Sequence, residues 1–409
     1  MFKTAVQKIK TLDRDFLLFI AAGIFLGIGQ SVDGSTLANF LKEKLHFLIL
    51  QRSALEIPRE LPGFLVFLII GFLYALGDVR IAALANVLAG VGMLLFGTVP
   101  TSSYTVIIAF SFIYSCGQHV YMPVSNSIGM SFANDGRLGR KLGQINAANT
   151  AALVISSALL WCLFNFFKID YWISFTLGAA SFFFAALCII LMNPRQTVRP
   201  KTRFVFRKEY GLYYWLCILY GARKQIFLTF GPWVLVDVFK QKVTTMTILF
   251  FIISVLGIFS KPLIGYLIDK VGEKFVLGSE AAVLIFVCIA YTFAADIFER
   301  NTAIMVICLC YILDQTLSAV SMARSTYLKK IAVREEDVSP TLSLGISLDH
   351  IVSMLLPAFA GFIWYANGTT GYKYVFLGGA VIALANFIST RFMSVMSPAV
   401  AKSTETNLM

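Results

Sequence analysis

Apolar runs long enough to cross a bilayer alternate with short polar breaks along the whole chain. About 20 predominantly apolar residues make a membrane-spanning helix. Twelve such runs can be read, at 16–39, 61–77, 81–99, 104–132, 141–166, 171–192, 211–239, 243–268, 275–297, 302–328, 340–366 and 371–395. The pattern predicts an all-α polytopic membrane protein with twelve transmembrane helices. Pro62 is expected to open the second span, since proline is tolerated in a first helical turn.

One run departs from the rest. Residues 213–239, YYWLCILYGARKQIFLTFGPWVLVDVF, are apolar enough to span a bilayer but carry Arg223, Lys224 and Gln225 near their middle. A cation at the centre of a span costs at least about 2.5 kcal/mol on insertion scales. These two must therefore face protein, water or a counter-charge. Gly231-Pro232 follows one to two turns later, where the missing N–H predicts a kink or a break. A charged, interrupted helix at membrane depth points to a translocation site.

Composition agrees with one polytopic membrane domain rather than several soluble ones. Of 409 residues 58% are hydrophobic and 14% charged, and the mean hydropathy is +0.78. The net charge of +12 is a topology signal: counting Lys141, Arg391 and Lys373 at span edges with their adjoining segments, 21 Lys and Arg lie in the termini and even-numbered loops and nine in the odd-numbered loops. That bias places both termini in the cytoplasm of a multi-pass protein of the plasma (inner) membrane. It also accounts for the charge without a nucleic-acid partner. Residues 193–210, with six cations and two prolines, read as a basic cytoplasmic linker between an N-terminal bundle, 1–192, and a C-terminal bundle, 211–409. All seven cysteines fall inside the apolar runs and read as small buried apolar groups. No cofactor or metal is expected.

The segments GFLYALGDVR, 71–80, and GYLIDKVGEK, 265–274, are counterparts. The second resembles the G-x-x-x-D-x-x-G-[RK]-[RK] loop of the major facilitator superfamily. Gly265, Asp269, Gly272 and Lys274 match, and Glu273 replaces the first basic residue. The first copy keeps Gly71, has Ala75 where the Asp belongs, and retains a shifted acid and base in Asp78 and Arg80. The resemblance covers the whole chain and implies two pseudo-symmetric six-helix bundles rocking around a central cavity, with alternating access. In that family spans one, four, seven and ten line the cavity. The charge pattern suits this: spans three and six contain no charged residue, whereas charge gathers in spans one, seven, ten and eleven. The resemblance also implies a cytoplasmic gate built from the motif residues with Arg137 and Arg140, Asp269 lying within reach of the start of span five. The family's span-four arginine is missing, Ile113 standing four residues before Gly117.

The polar residues inside spans supply the candidate site. Arg223, Lys224, Gln225, Gln118, His119, Asp314 and Gln30 are candidates for binding substrate. A buried cation without a permanent partner needs a ligand's negative charge, which favours a small organic anion or zwitterion. Interhelical ion pairs of Arg223 or Lys224 with Asp314 or Asp349 are the alternative at the same positions. Neighbouring residues on a helix diverge by about 100°, so Arg223 and Lys224 cannot both point squarely into one cavity. Asp349, His350, His119 and Asp33 are the groups that could carry a coupling proton; Asp33 reads equally well as a cap at the outer mouth. The function expected is secondary active transport by a monomer, whose partners are a small-molecule substrate, membrane lipids and protons. Polyspecific efflux of amphipathic or lipid-like compounds is the runner-up. An enzyme is disfavoured: the chain has no HExxH motif, no Gly-x-Ser-x-Gly elbow and no Walker loop.

Overall fold

The computed structural model describes residues 2–100, 103–132, 138–193 and 206–393; they are mostly helical and include no strand. Arg137, the side chain of Arg140 and residues 194–205 of the basic linker lie outside the described residues. The helices are α1 (Phe2–Glu43), α2 (Ile49–Ala54), α3 (Glu56–Phe64), α4 (Val66–Leu73), α5 (Asp78–Thr98), α6 (Tyr104–Ser131), α7 (Leu138–Asn165) and α8 (Tyr171–Ile190). They continue with α9 (Gly211–Trp233), α10 (Val243–Val271), α11 (Glu273–Ile297), α12 (Arg300–Leu317), α13 (Met322–Ile331), α14 (Val338–Ala366) and α15 (Gly371–Arg391). Ten helical segments among the described residues are long and apolar enough to cross a membrane, α12 and α13 counting as one. The other two expected spans appear as the interrupted pair α3–α4 and as the charged helix α9.

The chain forms two compact units, one of residues 1–200 and 232–258 and the other of residues 201–231 and 259–409. In the first, α5 packs against α6 and α8, and α1 packs against α7 and α8. In the second, α11 packs against α15 and α12, and α14 against α15. The pairing of the third with the sixth span thus recurs as that of the ninth with the twelfth. The core of the second unit includes Tyr210, Leu277, Ala323 and Leu328, all at most 1% exposed.

The segment between the first two apolar runs is not a solvated loop. Arg52 and Glu56, one helical turn apart, form a buried ion pair, and α3 begins at Glu56, well before the expected start of the span. Pro62 lies inside α3 rather than opening a helix. It has no N–H to give to the preceding turn, and three residues later, at Leu65, the helix ends and α4 restarts. At Gly231-Pro232 the expected break is a widened turn instead. Helix α9 runs through Pro232 to Trp233, and residues Val234–Val238 are π-helical. The Phe239 N–H donates to the Val234 carbonyl at 3.1 Å, across five residues rather than four.

Both motif copies close on a glycine in the left-handed region, Gly77 at φ +77° and Gly272 at φ +84°, a conformation that glycine adopts without steric cost. Each glycine is followed by a buried acid that begins the next helix. Asp78 accepts a hydrogen bond from the Ser127 hydroxyl at 2.9 Å, and Glu273 pairs with Lys330 at 2.8 Å. A carboxylate in a first turn also meets the positive end of the helix dipole. Asp78 therefore occupies the position of Glu273, not that of Asp269. Among the other motif residues, Gly71 and Gly265 are helical, Arg80 and Asp269 are exposed, and Lys274 donates to the Arg391 carbonyl at 2.8 Å.

Candidate functional site

Each unit holds a polar cavity within its helical framework. In the first unit a cavity of about 260 Å3 is lined by residues of α1, α3 and α6, among them Gln30, Asp33, Arg59, Glu60, Gln118 and His119. Asp33 lies 3.5 Å from Arg59, which also approaches Glu56 at 3.7 Å. Tyr114 hydrogen-bonds Asp33 from the facing helix. The Gln30 amide donates to the Gln118 carbonyl oxygen at 3.4 Å. His119 Nδ1 lies 3.0 Å from both the hydroxyl and the carbonyl oxygen of Ser115, one turn earlier. The four candidates read from spans one and four thus meet in one cavity. Arg59, Glu60 and Tyr114 were not legible as members of it. Arg59 looks like a loop cation until α3 folds it against Asp33.

In the second unit the two cations of α9 part company, as the 100° between neighbours requires. Arg223 reaches Asp314 of α12 at 2.7 Å and Glu280 of α11 at 2.5 Å. All three are at most 5% exposed, so one guanidinium bridges two carboxylates inside the helix packing. Each terminal nitrogen of the fork makes one charge-assisted hydrogen bond to a different carboxylate. Lys224 faces the other way and donates to both oxygens of Asp349 on α14, at 2.8 and 3.0 Å. That pairing depends on Gly221, where an added methyl group would stand 2.6 Å from Asp349 Oδ1. The bare glycine lets α14 come close enough for the lysine one turn on to reach the carboxylate. Gln225 is buried, donates to the Thr229 hydroxyl at 3.1 Å, and its carbonyl oxygen has no partner among the described residues. His350 is half-buried beside Asp349 on α14.

The Lys224–Asp349 pair is more open than the Arg223 cluster, its side chains 20% and 17% exposed. Asp349 also accepts a hydrogen bond from Ser353 at 3.1 Å. It forms part of the wall of a second cavity, about 300 Å3, between α9, α13 and α14. The chemistry available in the two cavities is charge recognition and proton binding. Carboxylates, one imidazole and two arginines line them from different helices, within reach of small molecules, in cavities near the lower end of the size range of ligand pockets.

The sequence profile of the Major Facilitator Superfamily matches residues 53–336. Among solved structures the fold is similar to that of the nucleoside transporter NupG, with a TM-score of 0.74 and 14% identity over 93% of this chain and 98% of that one. It is also similar to a bacterial homolog of the human lysosomal transporter Spinster, in an inward-facing and unoccupied conformation. There the TM-score is 0.65 and the identity 15%, over 95% of this chain and 98% of that one. At such identities the likeness is one of fold. No curated protein sequence matches the chain.

Proposed function

The chain belongs to the major facilitator superfamily, and from that premise we propose that this membrane transporter carries a small organic anion or zwitterion by alternating access, coupled to protons. The observation that carries the proposal is the partly open Lys224–Asp349 ion pair, whose Asp349 lines a 300 Å3 cavity. A partly open ion pair of this kind can exchange either partner for a charge on the cargo. Its charges leave water only when a counter-charge replaces the one displaced. Lys224 would then receive an anionic group and Asp349 an ammonium group. In the first unit Gln30, Gln118 and His119 line a cavity of their own and would supply hydrogen bonds to a polar molecule there. The Arg223–Glu280–Asp314 cluster and Gln225 hold the helices around the cargo. Asp349, His350, His119 and Asp33 are the groups through which a proton would be taken up and released. The transporter acts as a monomer in the plasma (inner) membrane with both termini cytoplasmic.

The test is uptake into proteoliposomes holding the purified protein, with a pH gradient imposed and the membrane potential clamped. The panel should contain monocarboxylates, amino acids, organic cations and, because proteins of this fold include a nucleoside transporter, neutral nucleosides. The gradient should drive accumulation of an anion or zwitterion, and Lys224→Met should lower its initial rate at low substrate at least tenfold, about 1.4 kcal/mol. Movement of cations or neutral solutes alone would overturn the cargo class. Full gradient-driven uptake in both Asp349→Asn and His350→Gln would overturn their part in coupling.

A further inference from the structure

A further cation able to receive a ligand lies neither on α9 nor in the first unit. Arg324, on α13, is 7% exposed and lines the 300 Å3 cavity with Tyr213, Tyr220, Ser321, Ser325 and Asp349. Its guanidinium carbon lies 3.4 Å from the centroid of the Tyr220 ring. Cys217 is its hydrogen-bonding neighbour. No carboxylate pairs with it among the described residues, and the one acid on the cavity wall, Asp349, gives both of its oxygens to Lys224.

This arrangement is electrostatically incomplete. Stacking on tyrosine stabilises one face of a guanidinium. The five N–H donors lie in the plane of the group, at its edges, and a thiol is a weak acceptor for them. A charge withdrawn from water without a counter-charge costs several kcal/mol. The Lys224–Asp349 pair is neutral as a unit, so the cavity carries one uncompensated positive charge. One negative charge completes it, and a second would be left without a partner.

We propose that Arg324 is the anchor of a binding site for a single carboxylate on a small organic body. The planar fork of the arginine takes the two carboxylate oxygens. Tyr220 fixes the plane of the fork, and the hydroxyls of Ser321, Ser325 and Tyr213 meet the remaining polar groups of the ligand. A doubly charged phosphate fits less well because only one positive charge is available while Asp349 holds Lys224. The site stands on its own geometry, and its use in transport rests on the function proposed above.

Titration calorimetry on the purified full-length protein in lipid nanodiscs tests this, with benzoate, neutral benzamide and inorganic phosphate as probes. Benzoate should bind at least tenfold more tightly than either of the others. Arg324→Gln should weaken benzoate binding at least tenfold, and Arg324→Lys should weaken it less, keeping the charge without the fork. Benzoate affinity in Arg324→Gln within twofold of the parent, or equal binding of benzoate and benzamide, overturns the site. If Arg324→Gln does not yield monodisperse protein, Ser325→Trp fills the cavity from its exposed rim and leaves the arginine in place. Retained benzoate binding in that variant likewise overturns the proposal. Arg324-dependent binding in a protein that moves no solute sustains the site and removes the transport reading. Anion uptake undiminished in Arg324→Gln sustains transport and removes the site.

Discussion

Arg223 is surrounded by more negative charge than it carries. Its two carboxylate partners, Glu280 and Asp314, sit on different helices and are 3% and 1% exposed. Removing the central cation leaves two buried carboxylates facing each other, and breaking a buried pair from one side costs about 3–5 kcal/mol. Arg223→Gln should lose stability on that scale in SDS-titrated unfolding. Asp314→Asn should lose less, because Arg223 keeps Glu280. A loss below about 1 kcal/mol in Arg223→Gln would show that the cluster is not structural. At this scale the sequence was informative where a charge stands alone in an apolar run, as Arg223, Lys224, Asp314 and Asp349 do. It was uninformative where a charge lies near a span's end. Glu280, Arg59 and Arg324 can each be read as reaching toward water. What distinguishes them is the approach of a second helix, such as that of α14 at Gly221, and no local pattern encodes that approach.

Hydrophobic period and length located the long helices, because about 20 apolar residues have few other ways to fold in a membrane. The apolar pattern starts the second span too late because Arg52, Glu56 and Arg59 look like a hydrated loop until Asp33 of α1 and the arginine–glutamate pairing bury them. The motif copies yielded half of their meaning: their glycines were visible, but the equivalence of Asp78 with Glu273 appears only in the backbone. Gly265 and Gly272 come from the same motif and should respond to alanine with opposite signs. Neither has an atom within 4 Å of where the added methyl group would stand. At Gly272 the positive φ makes alanine cost about 1–2 kcal/mol. At Gly265, inside α10, the same change should be neutral or stabilising by up to about 1 kcal/mol. Thermal unfolding of the two variants checks both signs. A stable Gly265→Ala protein with reduced transport would locate a close approach at that glycine during the cycle.

Over the whole molecule, charge placement is the orienting signal, and two of the cations it counts do other work. The apolar pattern leaves Arg52 and Arg59 in an outer loop, yet both are held by acids within the first unit. Setting them aside strengthens the excess of basic residues on the side of the termini, so the proposed orientation gains from the correction. Cysteine introduced at position 2 or 402 should resist a membrane-impermeant maleimide in intact cells and react after permeabilisation. Labelling of either position in intact cells would reverse the topology. Substrate identity has no comparable whole-chain signature, because it depends on a few side chains whose neighbours come from distant parts of the sequence.

The widened turn at Val234–Val238 gives the seventh span one more residue than a regular helix would use over the same rise. That surplus sets the angular phase of everything beyond it. Asp237 meets Lys42 at 2.7 Å and the Gln241 carbonyl accepts from Asn39 at 3.0 Å, both in the phase that the extra residue provides. Deleting Val236 would return the turn to ordinary helix by removing the residue that the widening absorbs, shifting Asp237 relative to Lys42 while leaving Arg223 and Lys224 where they are. A shortened chain of this kind should bind cargo with its original affinity and lose the contact between α1 and the end of the seventh span, so that a one-residue deletion, harmless in a surface loop, here undoes an ion pair.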